Sequence, residues 1–130
     1  MRLILTISFL IFSFSIGFSQ EKFRIDYNHV AVYYSSTQEW GEWAPGDNTF
    51  IININERGDV AHLKANGETS IYRKLEGLEE GYSTAKDHYQ IISVIDDEGD
   101  VLRLQLFDDK TVGLKLIYGD GSVMIQFAWF

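Results

Sequence analysis

Two-residue alternation of apolar and polar side chains, broken at short intervals by turn formers, narrows the possible folds more than any other feature of this chain. Successive side chains of a strand point to opposite faces, so such alternation marks strands with one face buried. Leu102, Leu104 and Leu106 share one parity while Arg103 and Gln105 take the other. Val112, Leu114, Leu116 and Tyr118 repeat the pattern with Lys115 opposite, and Val123, Ile125, Phe127 and Trp129 make a third apolar stripe. The connections Asp108-Asp109-Lys110 and Gly119-Asp120-Gly121 are short and rich in residues that tolerate positive φ, as tight hairpins require. The C-terminal third therefore reads as three consecutive antiparallel strands.

The same reading extends upstream. Tyr89 to Ile95 forms a strand whose Ile91, Ile92, Val94 and Ile95 occupy both parities, the mark of a central strand covered on both faces. The turn Asp96-Asp97-Glu98-Gly99 leads from it to Asp100. Thr49 to Asn55 sets Phe50, Ile52 and Ile54 against Asn53 and Asn55; Glu56 to Asp59 then turns the chain into Val60 to Lys64, and Asn66-Gly67 turns it again into Thr69 to Leu75. Phe23 to Tyr34 gives one long bent strand or two short ones. Only Arg73 to Glu80 resembles a helical turn, and Gly77 and Gly81 count against it. The fold class is all-β: an antiparallel meander of seven to nine strands forming a curled sheet or a small barrel, since closure removes the exposed edges of a sheet.

The first nineteen residues stand apart. Met1-Arg2 followed by the apolar run Leu3 to Phe18 has the layout of a secretory signal peptide, with Gly17 and Ser19 at positions −3 and −1 of a cleavage site before Gln20. A 16-residue run falls short of the roughly 20 residues that span a bilayer. The expected organisation is a signal peptide over 1–19 and one β domain over 20–130, exported to the periplasm or outside the cell. With no cysteine in the chain, neither a disulfide nor a cysteine-linked lipid can hold this domain, so its core must.

Without the leader, 111 residues remain at a net charge of −9, because Arg2 is the leader's only charge. A surface of this sign repels nucleic acid and anionic lipid and favours cations or basic partners, besides serving solubility. The terminal Phe130 is reminiscent of outer-membrane barrels, but its parity runs through Ala128, Gln126 and Met124 rather than through the apolar stripe. Several strands are also too short to span a membrane, and charged residues recur within them.

Motifs for chemistry are lacking. His29, His62 and His88 form no metal-binding spacing and read as partly exposed sheet or loop histidines. There is no Gly-x-Ser-x-Gly elbow and no phosphate-cradling glycine loop. Carboxylate pairs are too abundant among nineteen acids to point anywhere. Asp96, Asp97, Glu98 and Asp100 offer oxygen ligands of the kind Ca²⁺ takes, but their spacing is not that of an EF-hand, and the turn role of the segment is the simpler account. No catalytic residue, metal or cofactor is assigned.

The longest irregular stretch is Ser35 to Asn48, which carries Trp40 and Trp43 with Glu39, Glu42 and Asp47, behind Tyr33 and Tyr34. Such aromatic faces beside carboxylates stack on sugar rings or anchor a protein partner. The competing role is a plug: both indoles folded into an open end of the sheet, which a small cysteine-free core favours. The expected function is a non-enzymatic domain binding a glycan or another ligand, with these seven residues as candidates. An acidic inhibitor or envelope component docking on a basic protein is the alternative, and an outer-membrane barrel or an enzyme of unknown class comes third.

Overall fold

The computed structural model describes residues 21–130, so the expected leader lies outside the described residues. Nine strands follow in order: β1 (Phe23–Tyr34), β2 (Glu39–Trp40), β3 (Ala44–Ile52), β4 (Val60–Leu63), β5 (Thr69–Tyr82), β6 (His88–Ile95), β7 (Val101–Phe107), β8 (Leu114–Tyr118) and β9 (Val123–Ala128). Every pairing is antiparallel. Among the described residues there is no helix. The sheet runs β2-β1-β3-β4-β5-β6-β7-β8-β9 and closes through β1 and β9, from His29 opposite Ala128 to Tyr34 opposite Val123. Because β2 and β3 pair with the same edge of β1, they act as one interrupted strand, and the wall of the barrel is eight strands around.

Two irregularities let this sequence close. In β1 the register shifts between Tyr27 and His29, so Phe23, Ile25, Tyr27 and Val30 all pack into the core although their parity changes on the way. In β5 it shifts twice, between Lys74 and Glu76 and between Glu76 and Leu78, with Gly77 at φ +81°. The helix-like look of Arg73 to Glu80 has its cause here. Leu75 and Gly77 are the extra residues at the two shifts, Leu75 and Leu78, three apart, are both exposed, and the segment is strand throughout.

The core is the shared inner face. Phe50, Ile52, Val60, Ile92, Val94, Leu102, Leu104, Leu114, Leu116 and Phe127 are buried there, each contributing about 1.5–3 kcal/mol through lost apolar hydration. Phe50 meets Tyr27 edge-on at 6.0 Å and Phe127 at 5.0 Å. The C-terminal stripes are shorter than the alternation suggests: Val112 lies in the turn before β8, and Trp129 lies beyond β9, where the Lys110 ammonium sits 4.5 Å from its ring centre. β3 starts at Ala44 instead of Thr49, because its first residues already pair with Val30 and His29 of β1, and it stops at Ile52, before a turn in which buried Asp59 gathers Arg57, Asn55 and the Lys74 N–H around its carboxylate.

Gly113 joins the β7–β8 turn to β9. It sits at φ +92°, and a Cβ there would run into the carbonyl oxygen of Phe127. Replacing Gly113 with alanine is therefore expected to cost at least ~2 kcal/mol, against about 1 kcal/mol for Gly67→Ala, whose φ is +90° but whose Cβ would meet open space. Denaturant midpoints of the two variants check this, and equal losses would contradict the close approach of Gly113 to β9.

Candidate functional site

In an up-and-down barrel alternate turns share an end, so 35–38, 64–68, 96–100 and 119–122 gather at one mouth. Below them lies a cavity of about 380 Å³ with walls of Val30, Leu116, Tyr118, Ile125 and Phe127, and with the turn Lys64 to Asn66 as its lip. Its buried polar members are Asn48, His62 and Tyr72.

His62 is held from both sides. Its Nε2 donates to Asn48 Oδ1 at 2.9 Å, which leaves Nδ1 to accept the Tyr72 hydroxyl at 3.2 Å. Phe50 stacks on the imidazole, with ring centres 4.2 Å apart, and Phe127 meets it edge-on at 5.1 Å. Burial, reinforced by the charge of Lys64, pushes its pKa down to about 4, so it is neutral at pH 7. Burial and then the charges on Tyr118, Asp96 and Asp97 hold the Tyr72 phenol above its ordinary value. Tyr118 is raised in the same direction by burial and then by Asp96, Asp100 and Glu98. Both hydroxyls thus stay protonated and able to donate.

Above this chamber is a polar vestibule of about 280 Å³. Lys64, Tyr72 and Tyr118 border both spaces, and the vestibule adds Glu68, Asp96, Asp97, Glu98 and Asp100. Asp96 also builds its own turn: its Oδ1 accepts the N–H groups of Glu98 at 3.0 Å and Asp100 at 2.9 Å. Among the described residues, no group of three or more His, Asp or Glu side chains stands ready to hold a metal ion.

The segment carrying the tryptophans is not the irregular loop expected from sequence. Residues 35–38 turn the chain, β2 pairs Trp40 with Tyr33 and Glu39 with Tyr34, and β3 resumes at Ala44, so the stretch continues the hairpin partner of β1. Neither indole plugs the barrel: Trp40 is 38% and Trp43 41% exposed. Trp40 packs on Tyr33 with ring centres 5.5 Å apart, and the Lys115 ammonium lies 5.5 Å from its ring centre and 5.7 Å from that of Phe107. Trp43 turns instead to Phe130, which stacks on His29 at 4.0 Å and is tied by its backbone to Asn28. Tyr34, Glu39, Trp40 and Glu42 border a hollow of about 360 Å³ that shares Val30 with the mouth cavity, whereas Asp47 is exposed and borders neither.

Tyr33, Tyr34, Glu39, Trp40 and Glu42 thus stay together, while Trp43 belongs to another cluster. The three histidines have three environments. His29 stacks on Phe130 and His62 is buried inside, against the expectation of a partly exposed residue; His88 Nδ1 contacts Asp108 at 2.7 Å, with Glu80 3.5 Å from its Nε2. The sequence singles out neither Asn48 nor Tyr72, and His62 reads there as a partly exposed histidine. The available signal was that His62 shares parity with Val60 in a strand, which directs it inward. A second hollow of about 270 Å³, walled by Phe23, Ile25, Tyr27 and Leu106, lies at the other end of the barrel, with Arg24, Asp108 and Lys110 around it. The mouth beside His62 is the stronger site because several fixed polar groups converge on apolar walls there. No protein-family model, curated protein or solved structure matches the chain.

A neutral buried histidine carries a pH signature. The unfolded chain takes up the proton near pH 6.5 and the folded one near 4, so the stabilising contribution of the neutral ring is present above 6.5 and lost as pH falls through 4. The stability gap between the wild type and His62→Gln is expected to narrow over that window, by at most ~1.4 kcal/mol per pH unit. Thermal unfolding of both proteins from pH 7.5 to 3.5 measures it. A constant gap would mean that His62 is not buried neutral.

Proposed function

We propose that the protein is a non-enzymatic binding domain that takes a small ligand into the barrel mouth above His62. The observation that carries this reading is the Asn48–His62–Tyr72 chain, a fixed polar floor set into otherwise apolar walls, the combination typical of small-molecule sites. Both imidazole nitrogens are engaged in this chain, which suits a group that holds Asn48 and Tyr72 in place better than one that shuttles protons. The His88–Asp108 pair does not suggest catalysis either, since the other ring nitrogen of His88 faces Glu80 instead of a nucleophile.

The leader-like N-terminus supports export, to the periplasm or beyond the cell. Outward-facing Arg103, Gln105, Lys115 and Gln126, opposite the core residues of β7, β8 and β9, suit water around the barrel better than lipid. Docking on a basic protein is the second reading, favoured by the carboxylates at the mouth, and steep weakening with salt would distinguish it.

The test is thermal unfolding against a panel of glycans, amines, small apolar molecules and basic proteins. A ligand at a hundredfold excess over its Kd adds about 2.7 kcal/mol of stability. That gain is expected to shrink in Ala65→Trp, which crowds the lip, and to persist in Trp43→Ala. Loss of the gain in Trp40→Ala or Trp43→Ala with Ala65→Trp unaffected would return the site to the tryptophan segment.

A further inference from the structure

The mouth is built in two storeys of opposite character. The lower chamber is walled by Leu116, Ile125 and Phe127, and the upper vestibule is bordered by carboxylates. Tyr72 and Tyr118 stand where the two meet and border both. Five acids, Glu68, Asp96, Asp97, Glu98 and Asp100, surround the vestibule, and among the described residues lining it Lys64 is the only cation. A ligand that enters must therefore present an apolar body to the lower walls and meet a strongly negative potential at its outer end, beside two phenol rings.

Resting on the binding reading above, we infer that the ligand is an organic cation: an apolar or aromatic body carrying a protonated amine. Ring faces attract an ammonium through their quadrupole, and this attraction grows as water is excluded. Clustered carboxylates add a Coulombic pull that a neutral molecule does not feel and an anion feels as repulsion. The floor fits the same occupant. His62 is neutral, so among the described residues lining the two spaces Lys64 is the only positive charge a cation would meet, against five carboxylates, and the Asn48–His62–Tyr72 chain fixes the polar groups of the floor. An inorganic divalent cation would use only the carboxylates and leave the apolar chamber below without a role.

Three probes with one body separate charge from shape: 2-phenylethylammonium, 2-phenylethanol and phenylacetate, titrated calorimetrically into the protein at low salt, with Ca²⁺ as a fourth arm. The ammonium compound is expected to bind about tenfold tighter than the alcohol, and phenylacetate weakest of the three. In the triple variant Asp97→Asn, Glu98→Gln, Asp100→Asn this preference collapses to within about twofold while the affinity for the alcohol is unchanged, which also shows that the variant is folded. Asp96 is left in place because its carboxylate holds the turn. Tyr118→Leu weakens the ammonium compound more than the alcohol, whereas Tyr118→Phe keeps the preference. Equal affinities for all three probes would overturn the inference and leave the binding site standing. Stabilisation by Ca²⁺ without binding of the amine would overturn it in favour of a metal. No binding by any probe would overturn it, and the mouth would then fail as a site as well if the wider panel produced no ligand sensitive to Ala65→Trp.

Discussion

The rest of this structure depends on one strand being paired along both edges. The first part of β1 pairs with β3, from Phe23 opposite Ile52 to Val30 opposite Ala44, and its second part takes β9 on the other edge. Without that second ladder the chain would be an open meander with two edge strands and a flat apolar face exposed at both, a poor state for a protein with no disulfide to hold it. With it, the inner faces of all the strands enclose one core, and the core can be apolar across its middle. The shift of register between Tyr27 and His29 is what allows a single strand to serve two neighbours while keeping its large side chains inside.

Closure also decides where polarity is tolerated. A histidine set among Phe50, Phe127 and Tyr72 is costly to bury unless both ring nitrogens are satisfied, and Asn48 from β3 and Tyr72 from β5 satisfy them. Three strands thus contribute to one polar chain at the level where the core gives way to the mouth. Above it the turns carry the acids, and the two tyrosines mark the boundary. The proposed binding role follows from this gradient from apolar interior through fixed polar floor to charged rim, which no single residue would provide.

Much of this architecture can be read from the sequence and part of it cannot, for physical reasons. Leu102 to Phe127 alternates cleanly because those strands are regular, and Asn66-Gly67 lies in the β4–β5 turn because positive φ there calls for glycine. The irregular strands resist reading: β1 and β5 break parity where their register shifts and β2 is only two residues long, so Ser35 to Asn48 looks like a loop and Arg73 to Glu80 like a helical turn. Barrel closure leaves no local trace, since His29 to Tyr34 and Val123 to Ala128 lie at opposite ends of the chain. Trp40 and Trp43 are ambiguous by composition alone, because an indole suits a core and an outer face equally well. His62 looked peripheral because histidines usually are, although its register with Val60 directs it inward. The acidic turn was legible as a cluster, but its position over an aromatic-walled mouth follows only from the closed fold.

The account rests on closure, and amide hydrogen exchange measures it most directly. The amides of Val30 to Tyr34 and Val123 to Phe127 that bond across the β1–β9 ladder should be as protected as those of the β6–β7 ladder, exchanging only through global opening. Exchange of the β1–β9 amides at the rate of a free strand edge, with β6 and β7 still protected, would mean that the sheet is open and that the mouth above His62 does not exist as described.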